Sequence, residues 1–106
     1  MAPPYVFAYV TASSREEAYK IGRALLEKKL AACVNLFDGM QSLYWWEGKI
    51  EESKEAVLLV KTDEKRIESV MRVVKGLHSY SCPCVVSFRI EGGNPEYLKW
   101  LGESLG

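Results

Sequence analysis

The hairpin sequence Leu43-Tyr44-Trp45-Trp46-Glu47-Gly48-Lys49-Ile50 sets the topology of this chain. It joins two β-prone segments, Ala32–Gln41 and Glu55–Lys61, and its Glu47-Gly48 pair predicts a tight turn. Two adjacent tryptophans at a hairpin tip each carry roughly 200 Å² of surface, which a small domain has little core of its own to bury. Because such an apolar tip is costly in water, we expect the hairpin to bury these rings against another copy of the chain.

Hydrophobic periodicity on both sides of the hairpin predicts four strands and three helices. Ser14 begins a capping box with Glu17 at the first helix, and Asn94-Pro95 opens the last helix. The predicted strands are Tyr5–Thr11, Ala31–Phe37, Glu55–Lys61 and Cys84–Ile90. The predicted helices are Arg15–Lys29, a second one that is capped by Asp63 and ends at Gly76, and a short one after Pro95.

The element order indicates an α+β fold, a ferredoxin-like βαββαβ plait with an extended hairpin between its second and third strands and a C-terminal helix. Right-handed crossovers place the first two helices on one face of a four-stranded antiparallel sheet. The other face is then uncovered, and we expect it to bind RNA, a small ligand or another sheet. The fold alone does not discriminate between these occupants.

Length and charge limit the classes of partner. The 106 residues predict a single domain spanning 1–106, and fourteen Lys and Arg residues balance fourteen Asp and Glu residues. This balance gives no electrostatic attraction to nucleic acid or to an anionic membrane. No apolar run is long enough to span a bilayer, and Met1-Ala2-Pro3-Pro4 lacks the basic region of a signal peptide. We therefore expect a cytoplasmic protein, in which three cysteines stay as free thiols.

RNA recognition is the disfavoured use of the uncovered face. Such modules stack bases on aromatic residues of the central strands and add basic residues. Tyr5, Phe7 and Tyr9 alternate onto one side of the first strand, but the third strand, Ala56–Val60, has no aromatic residue. Metal-chaperone and acyl-phosphate hydrolase sites are also disfavoured, because the loop at 10–15 has neither cysteine nor glycine.

The three cysteines and the only histidine are the candidate metal ligands. Cys82 and Cys84 flank Pro83, Cys33 lies on the second strand, and His78 follows the second helix. Thiolate and imidazole groups suit copper and zinc, although the 82–84 spacing is not a standard zinc signature. A structural alternative stays open, because free cysteines commonly pack as small apolar residues and a histidine at a helix end commonly caps it.

Polar residues near the strand ends suggest a second kind of site. Lys61 and Thr62 offer a cation and a hydroxyl group to an anionic ligand, and we group Tyr80 with them as a candidate ligand-binding residue. The acidic residues around the hairpin turn are predicted to form a solvated rim: Glu47, Glu51, Glu52 and Glu55. No nucleophile, orienting base and oxyanion site can be assembled together. We therefore expect no catalytic residues and no enzyme activity.

Five motifs follow one another along the chain: Ala31-Ala32-Cys33-Val34-Asn35, Ser42 to Ile50, Val60-Lys61-Thr62, His78-x-Tyr80-x-x-Pro83 and Tyr97-Leu98-x-Trp100. Together they resemble the CutA family, the divalent-cation tolerance proteins, from about Tyr5 to Leu101. The resemblance implies a cytoplasmic homotrimer of ferredoxin-like plaits whose hairpin arms contribute to intersubunit sheets. It also implies copper or another divalent metal ion as the partner, without an organic cofactor.

The resemblance also suggests an interface and an alternative function. The candidate trimer-interface residues are Tyr44, Trp45, Trp46 and Trp100, although Tyr97 and Trp100 are also expected simply to pack. The CutA architecture is similar to that of trimeric PII-type signalling proteins. The alternative is therefore a sensor that binds an anionic small molecule between subunits, near Lys61.

This chain departs from the family pattern at the expected metal ligands. Cys33 and His78 match a family cysteine and histidine. After His78, the family pattern reads His-Pro-Tyr-Glu-x-Pro-Glu, but here Ser79, Ser81 and Cys84 replace its first proline and its two glutamates, and Cys82 is an additional thiol. Since hard carboxylates are exchanged for soft thiols, we expect a site that prefers Cu(I) or zinc.

Overall fold

A computed structural model describes residues 3–106 as a four-stranded antiparallel sheet with three helices. In chain order the elements are β1 (Tyr5–Ala12), α1 (Arg15–Glu27), β2 (Cys33–Trp46), β3 (Lys49–Asp63), α2 (Ile67–Leu77), β4 (Val85–Arg89) and α3 (Pro95–Leu105). The strand order, β2-β3-β1-β4, is that of the split βαβ plait. This confirms the predicted α+β fold. Met1 and Ala2, which belong to the segment used for the leader prediction, lie outside the described residues.

Strand register divides the sheet into two faces. Ala8 and Val10 of β1 pair with Val60 and Leu58 of β3, and all four are fully buried under the helices. Burying a side chain of this kind stabilises the fold by about 1.5–3 kcal/mol. Tyr9 of β1 and its neighbours at alternate positions point to the opposite surface, which we call the open face.

The β2–β3 hairpin extends well beyond the rest of the sheet. β1 pairs with β3 only from Ala56 onwards, so within residues 3–106 no third strand joins the ladder between 40–46 and 49–55. This ladder, which we call the hairpin arm, is roughly 20 Å long at the usual rise per residue. Glu47 and Gly48 close it with positive φ angles of 50° and 79°. Both predictions, the turn and the long arm, are confirmed.

A β-bulge at Asp38-Gly39 separates the arm from the sheet. Phe37 pairs with Val57 whereas Met40 pairs with Glu55, so two residues of β2 oppose one residue of β3. Gly39 has a φ of 76°, which favours glycine. The extra residue changes the alternation of β2, and even-numbered residues of the arm then face the same side as the odd-numbered residues before the bulge.

The first two helix boundaries differ from the predictions. α1 ends at Glu27 rather than Lys29, because Lys29 adopts a left-handed φ of 59° and Leu30 N–H returns to the Leu25 carbonyl at 2.9 Å. Ser14 caps α1 as expected, with its side chain accepting from Glu17 N–H. α2 starts at Ile67 and continues through Gly76 to Leu77.

Asp63 does not cap α2 directly. Its side chain instead binds the turn before the helix, accepting from Arg66 N–H at 3.1 Å and from the Arg66 guanidinium at 2.6 Å. Arg66 takes the cap position without a side-chain cap. Asp63 therefore fixes the turn that leads into α2, three residues before the cap residue Arg66.

The third helix covers one end of the open face, which was predicted to be bare. Leu101 and Leu105 of α3 are buried. The Tyr5 ring lies so close to Gly102 that a Cβ atom there would clash with it. Other residues of the open face remain exposed, including Phe37 and Phe88. Within residues 3–106, none of the helices has the length and apolar character that crossing a bilayer requires.

Candidate functional site

A cavity of about 660 Å³ lies between the hairpin arm, the open face of the sheet and the loop at 79–84. The arm supplies Met40, Tyr44 and Trp46 to its wall. These residues face the cavity because the bulge has reversed the alternation of β2. A volume of this size is typical of sites for small organic molecules.

A buried carboxylate forms part of the cavity wall. Glu55 is only 8% exposed, and its Oε2 accepts a hydrogen bond from the Tyr80 hydroxyl at 2.9 Å. Burial, together with this bond to Glu55, raises the pKa of Tyr80 to about 12. The Tyr80 hydroxyl therefore remains a proton donor to Glu55 at neutral pH.

Two thiols lie at the same cavity. Cys82 and Cys84 are both exposed and both line it. Partial burial raises the pKa of Cys84, and the nearby Glu55 carboxylate raises it further, whereas a hydrogen bond with Thr11 acts in the opposite direction. Cys84 is therefore a protonated thiol at neutral pH, and a metal ion must displace its proton to bind.

His78 fixes the start of the loop at 79–84 through hydrogen bonds of its two ring nitrogens. Its side chain is fully buried. Nδ1 accepts from Tyr80 N–H at 3.0 Å, and Nε2 lies 2.7 Å from the Thr11 carbonyl. Since Nδ1 is an acceptor, the proton is assigned to Nε2, which donates to Thr11. Both ring nitrogens are thus engaged, and neither offers a free lone pair to a metal ion.

Glu17 fixes the same loop through its carboxylate. It accepts from Ser13 N–H and from the Ser13 hydroxyl with Oε1, and from Ser79 N–H with Oε2. Burial would raise the pKa of Glu17, but the hydrogen bonds from Ser13 and Ser79 outweigh it, and the pKa is lowered. This network connects the start of α1 to the residue that follows His78.

The structure does not bring the four predicted metal ligands together. Cys33 begins β2 beside Lys61, whereas Cys84 precedes β4 beside Thr11. β2 and β4 are opposite edges of the sheet, which places these strands about 14 Å apart. Among the residues that the structure describes, no group of three His, Cys, Asp or Glu side chains could hold a metal ion. Cys33, His78, Cys82 and Cys84 of one chain therefore do not form a single metal site, and the role of each as a ligand stays a prediction.

The predicted anion-binding residues are also separated. Lys61 lies on the open face, where its ammonium donates to the Tyr97 hydroxyl at 3.0 Å and lies 5.3 Å from that ring. Thr62 points to the helix side, fully buried, with its hydroxyl donating to the Leu30 carbonyl at 2.7 Å. Tyr80 belongs to the cavity. These three residues do not converge on one ligand.

The candidate interface aromatics are exposed in the single chain. Trp45, at 73%, is the most exposed large apolar side chain in the described part of the chain. Tyr44 and Trp46 are on the other side of the arm, at the cavity. Trp100 is on α3 with its ring 5.5 Å from that of Tyr97. Their role in a trimer stays a prediction.

Sequence reasoning assigned Glu55 wrongly and missed the cavity. Glu55 was grouped with the solvated acidic rim, but it is buried. The available signal was the Asp38-Gly39 pair inside a long strand, since glycine in a strand commonly marks a bulge. A bulge there predicts that Met40 and Tyr44 share a face with Phe37.

Comparison with known proteins places these features in context. A sequence model of the CutA1 divalent ion tolerance protein family matches residues 6–104. The divalent-cation tolerance protein CutA of Archaeoglobus fulgidus is 48% identical over 99 residues, which are 93% of this chain and 96% of that protein. The protein CutA 1, chloroplastic, of Oryza sativa is 40% identical over 101 residues, which are 95% of this chain but only 57% of that protein.

Solved structures show the same fold. The periplasmic divalent cation tolerance protein CutA from Archaeoglobus fulgidus superimposes with a TM-score of 0.93 at 47% identity. The alignment covers 96% of this chain and 99% of the other. The sheet, the three helices and the long hairpin of the present structure therefore have a solved counterpart.

Proposed function

This chain belongs to the CutA1 family of divalent ion tolerance proteins, and we propose that it is a non-enzymatic homotrimer that binds or responds to a divalent metal such as copper. The observation that carries this proposal is the family match, which extends over almost the whole chain. The closely similar Archaeoglobus fulgidus protein is named for divalent-cation tolerance. Metal binding is the more specific part of the proposal, and it rests on the chemistry of the Cys82 and Cys84 thiols.

Cys82 and Cys84 are the residues that would hold the metal ion. Both thiols are exposed, and thiolates select soft ions such as Cu(I) and zinc. One chain supplies only these two nearby thiols, so further ligands would come from another subunit or from solvent. His78 is not among them, because its ring nitrogens bind Thr11 and Tyr80.

Copper titration of the purified protein tests this proposal. We expect the double variant Cys82→Ser/Cys84→Ser to lose at least about tenfold in affinity both for Cu(I), the form of copper favoured in a reducing compartment, and for divalent zinc, since two thiolate ligands are removed. Affinity of the unmodified protein should rise with pH, because the raised pKa of Cys84 means that binding must release its proton. The measurement is a competition titration against a chromophoric Cu(I) chelator at several pH values.

Cys33→Ser is the matched control for the titration, because Cys33 lies at the far edge of the sheet and should be dispensable. Unchanged copper stoichiometry and affinity in the double variant would exclude Cys82 and Cys84 as ligands. If no variant and no unmodified sample binds copper or zinc, the metal part of the proposal fails.

The proposed trimer is supported by the arm itself. An isolated two-stranded ladder is marginally stable in water, yet no other strand of the described chain joins the arm, which carries exposed Trp45 and Ile50 as a cross-strand pair. A neighbouring subunit would supply the missing contacts. A cytoplasmic location is likewise proposed, since exposed free thiols suit a reducing compartment, and cell fractionation tests it.

The alternative proposal, a trimeric sensor of an anionic ligand near Lys61, has less support. The Lys61 ammonium already binds Tyr97, and Thr62 is buried on the opposite face. A thermal-shift screen of nucleotides and organic anions tests it, because a ligand that binds only the native state raises the melting temperature.

A further inference from the structure

We propose that His78 is a pH-sensitive switch that holds the loop at 79–84 while its imidazole is neutral and releases the loop when the imidazole is protonated. The deciding proton binds at Nδ1. Without this proton, Nδ1 accepts from Tyr80 N–H, and with it, Nδ1 donates to the Glu17 carboxylate. The switch needs no metal ion and is independent of the metal binding proposed above.

Two groups compete for Nδ1 of His78. Tyr80 N–H donates to it at 3.0 Å, and Glu17 Oε1 lies 3.7 Å away. A neutral Nδ1 has a lone pair that suits the amide, whereas a protonated Nδ1 suits the carboxylate and repels the amide hydrogen. A movement of about 1 Å would bring Glu17 Oε1 to hydrogen-bond distance. One proton therefore exchanges the first partner for the second.

The other ring nitrogen directs the proton to Nδ1. Nε2 of His78 lies 2.7 Å from the Thr11 carbonyl. Because a carbonyl oxygen only accepts, Nε2 carries a hydrogen in both states. An additional proton therefore has only Nδ1 to bind, which is the nitrogen that holds the loop.

Glu17 supplies the anion that a buried imidazolium needs. Among residues 3–106, His78 is the only basic side chain that meets this carboxylate, while Lys75, in the last turn of α2, is exposed. Burial opposes ionisation of Glu17, but the hydrogen bonds from Ser13 and Ser79 outweigh it and lower its pKa. Glu17 is therefore ionised across the range in which imidazole groups usually titrate.

Two further ionisable groups near His78 do not change charge in that range. The Tyr80 ring lies 4.6 Å from the imidazole, and burial, together with the hydrogen bond to Glu55, raises its pKa to about 12. Cys84 hydrogen-bonds with Thr11, and burial and Glu55 raise its pKa. Both groups stay protonated, so neither supplies the proton-dependent change.

The loop has few other attachments through its backbone. Between Ser79 and Cys82, in the described chain, only the N–H groups of Ser79 and Tyr80 donate to protein acceptors. Ser79 N–H donates to Glu17 and Tyr80 N–H to His78. A proton that draws Glu17 and His78 together therefore disturbs both of these attachments at once.

The contacts of the switch lie inside one chain. The His78 side chain is fully buried, and that of Glu17 is only 13% exposed. Thr11 and Tyr80 bind the imidazole through backbone groups alone, and the hairpin arm takes no part. Association of subunits through the arm and the open face therefore leaves these contacts in place.

Nuclear magnetic resonance on the full-length protein in its native assembly, with EDTA present, follows the proton and the loop together. His78 is the only histidine of the chain, so its imidazole nitrogen signals are assigned without ambiguity. At about pH 8 we expect a hydrogen on Nε2 alone, and at about pH 5 on both nitrogens. The protection of Tyr80 N–H from hydrogen exchange, corrected for the intrinsic rate, should fall at least about tenfold as Nδ1 is protonated.

Two variants test the two partners of Nδ1. His78→Asn places an amide oxygen near the position of Nδ1 but does not titrate, so protection of Tyr80 N–H should be the same at both pH values. Glu17→Gln removes the anion, and the midpoint of the His78 titration should fall by about one pH unit or more. Glu16→Gln is the matched control, because Glu16 is exposed in the same helical turn, and it should leave the midpoint unchanged.

The unmodified protein decides the question even if His78→Asn does not fold. The proposal is overturned if Nδ1 of His78 stays unprotonated down to about pH 5, or if it gains a proton while protection of Tyr80 N–H is unchanged. An unchanged midpoint in Glu17→Gln would overturn the exchange of partners between Tyr80 and Glu17.

Discussion

Glu17 is the residue that links helix α1 to the loop of the cavity. Three hydrogen bonds from Ser13 and Ser79 end on its two oxygens, and its side chain is 13% exposed. Because the donors favour the ionised form, the pKa is lowered. The stability that Glu17 contributes is thus fully present above pH 4.5, the ordinary value, and is lost as the pH falls through the lower folded-state pKa.

Replacing Glu17 by glutamine should therefore destabilise the protein in a pH-dependent manner. The amide keeps one acceptor oxygen but cannot accept from both Ser13 and Ser79. We expect a loss of about 2 kcal/mol in unfolding free energy at pH 7, with a smaller difference at pH 3. Urea unfolding at the two pH values measures it.

Glu16→Gln is the matched control for this prediction, because Glu16 is exposed in the same helical turn. It should lose no more than about 1 kcal/mol, the upper end of the usual effect of an exposed charge near a helix N-terminus. An equal loss for Glu17→Gln at both pH values would contradict the role assigned to its ionised form.

The sequence predicted each strand and helix of the described chain but not all of their ends. Hydrophobic periodicity located α1, α2 and the sheet, because these elements bury one face each. The end of α1 was missed by two residues, since the left-handed Lys29 has no sequence signature comparable to glycine. The start of α2 was missed because Asp63 has a capping side chain but binds a turn instead.

The candidate sites were predicted less well than the fold. Periodicity indicates which residues share a face within one strand, but it does not tell which strands become neighbours in space. Cys33 and Cys84 were grouped by residue type, whereas sheet order places them on opposite edges. The bulge at Asp38-Gly39 then reversed the alternation of β2, and the side of Tyr44 could not be assigned without it.

The turn at Glu47-Gly48 gives a prediction about the stability of the hairpin. Both residues have positive φ angles, as a type I′ turn requires. Gly48→Ala should therefore destabilise the protein by about 1 kcal/mol, because alanine is strained in the left-handed region. Chemical denaturation measures the change, and the arm amides should lose protection from hydrogen exchange.

Gly76→Ala is the matched control for the turn. Gly76 lies in α2, and no atom other than those of its own chain neighbours and helix lies within 4 Å of an added Cβ. The same substitution should stabilise the protein there by about 0.5–1 kcal/mol. If both variants shift stability in the same direction, the turn conformation is not the cause.

The hairpin arm makes the single chain elongated, with extents of 44 × 26 × 23 Å. Its apolar residues are not concentrated on one side, since Trp45 and Trp46 alternate across the ladder. An arm that exposes tryptophan on both sides buries the most apolar surface when it is inserted between neighbouring subunits. This geometry favours a closed assembly of several chains over a flat two-chain contact.

Replacing Trp45 and Trp46 by glutamate should therefore dissociate the proposed trimer. Two charges in an apolar interface are costly to bury, whereas both side chains are more than half exposed in the single chain, at 73% and 51%, and lose little internal packing. Light scattering should show the mass falling towards that of one 12.0 kDa chain, with the circular dichroism of the sheet retained.

A matched control and a single variant separate assembly from the cavity. Tyr19→Glu changes an aromatic residue that is about as exposed as Trp46, but on helix α1, and it should leave the mass unchanged. Trp45→Glu alone changes the side of the arm away from the cavity, so it should weaken association while the cavity wall stays intact.

Full assembly mass in the double variant would mean that the arm projects for a reason other than self-association. The exposed tryptophans would then have to be explained by a different partner.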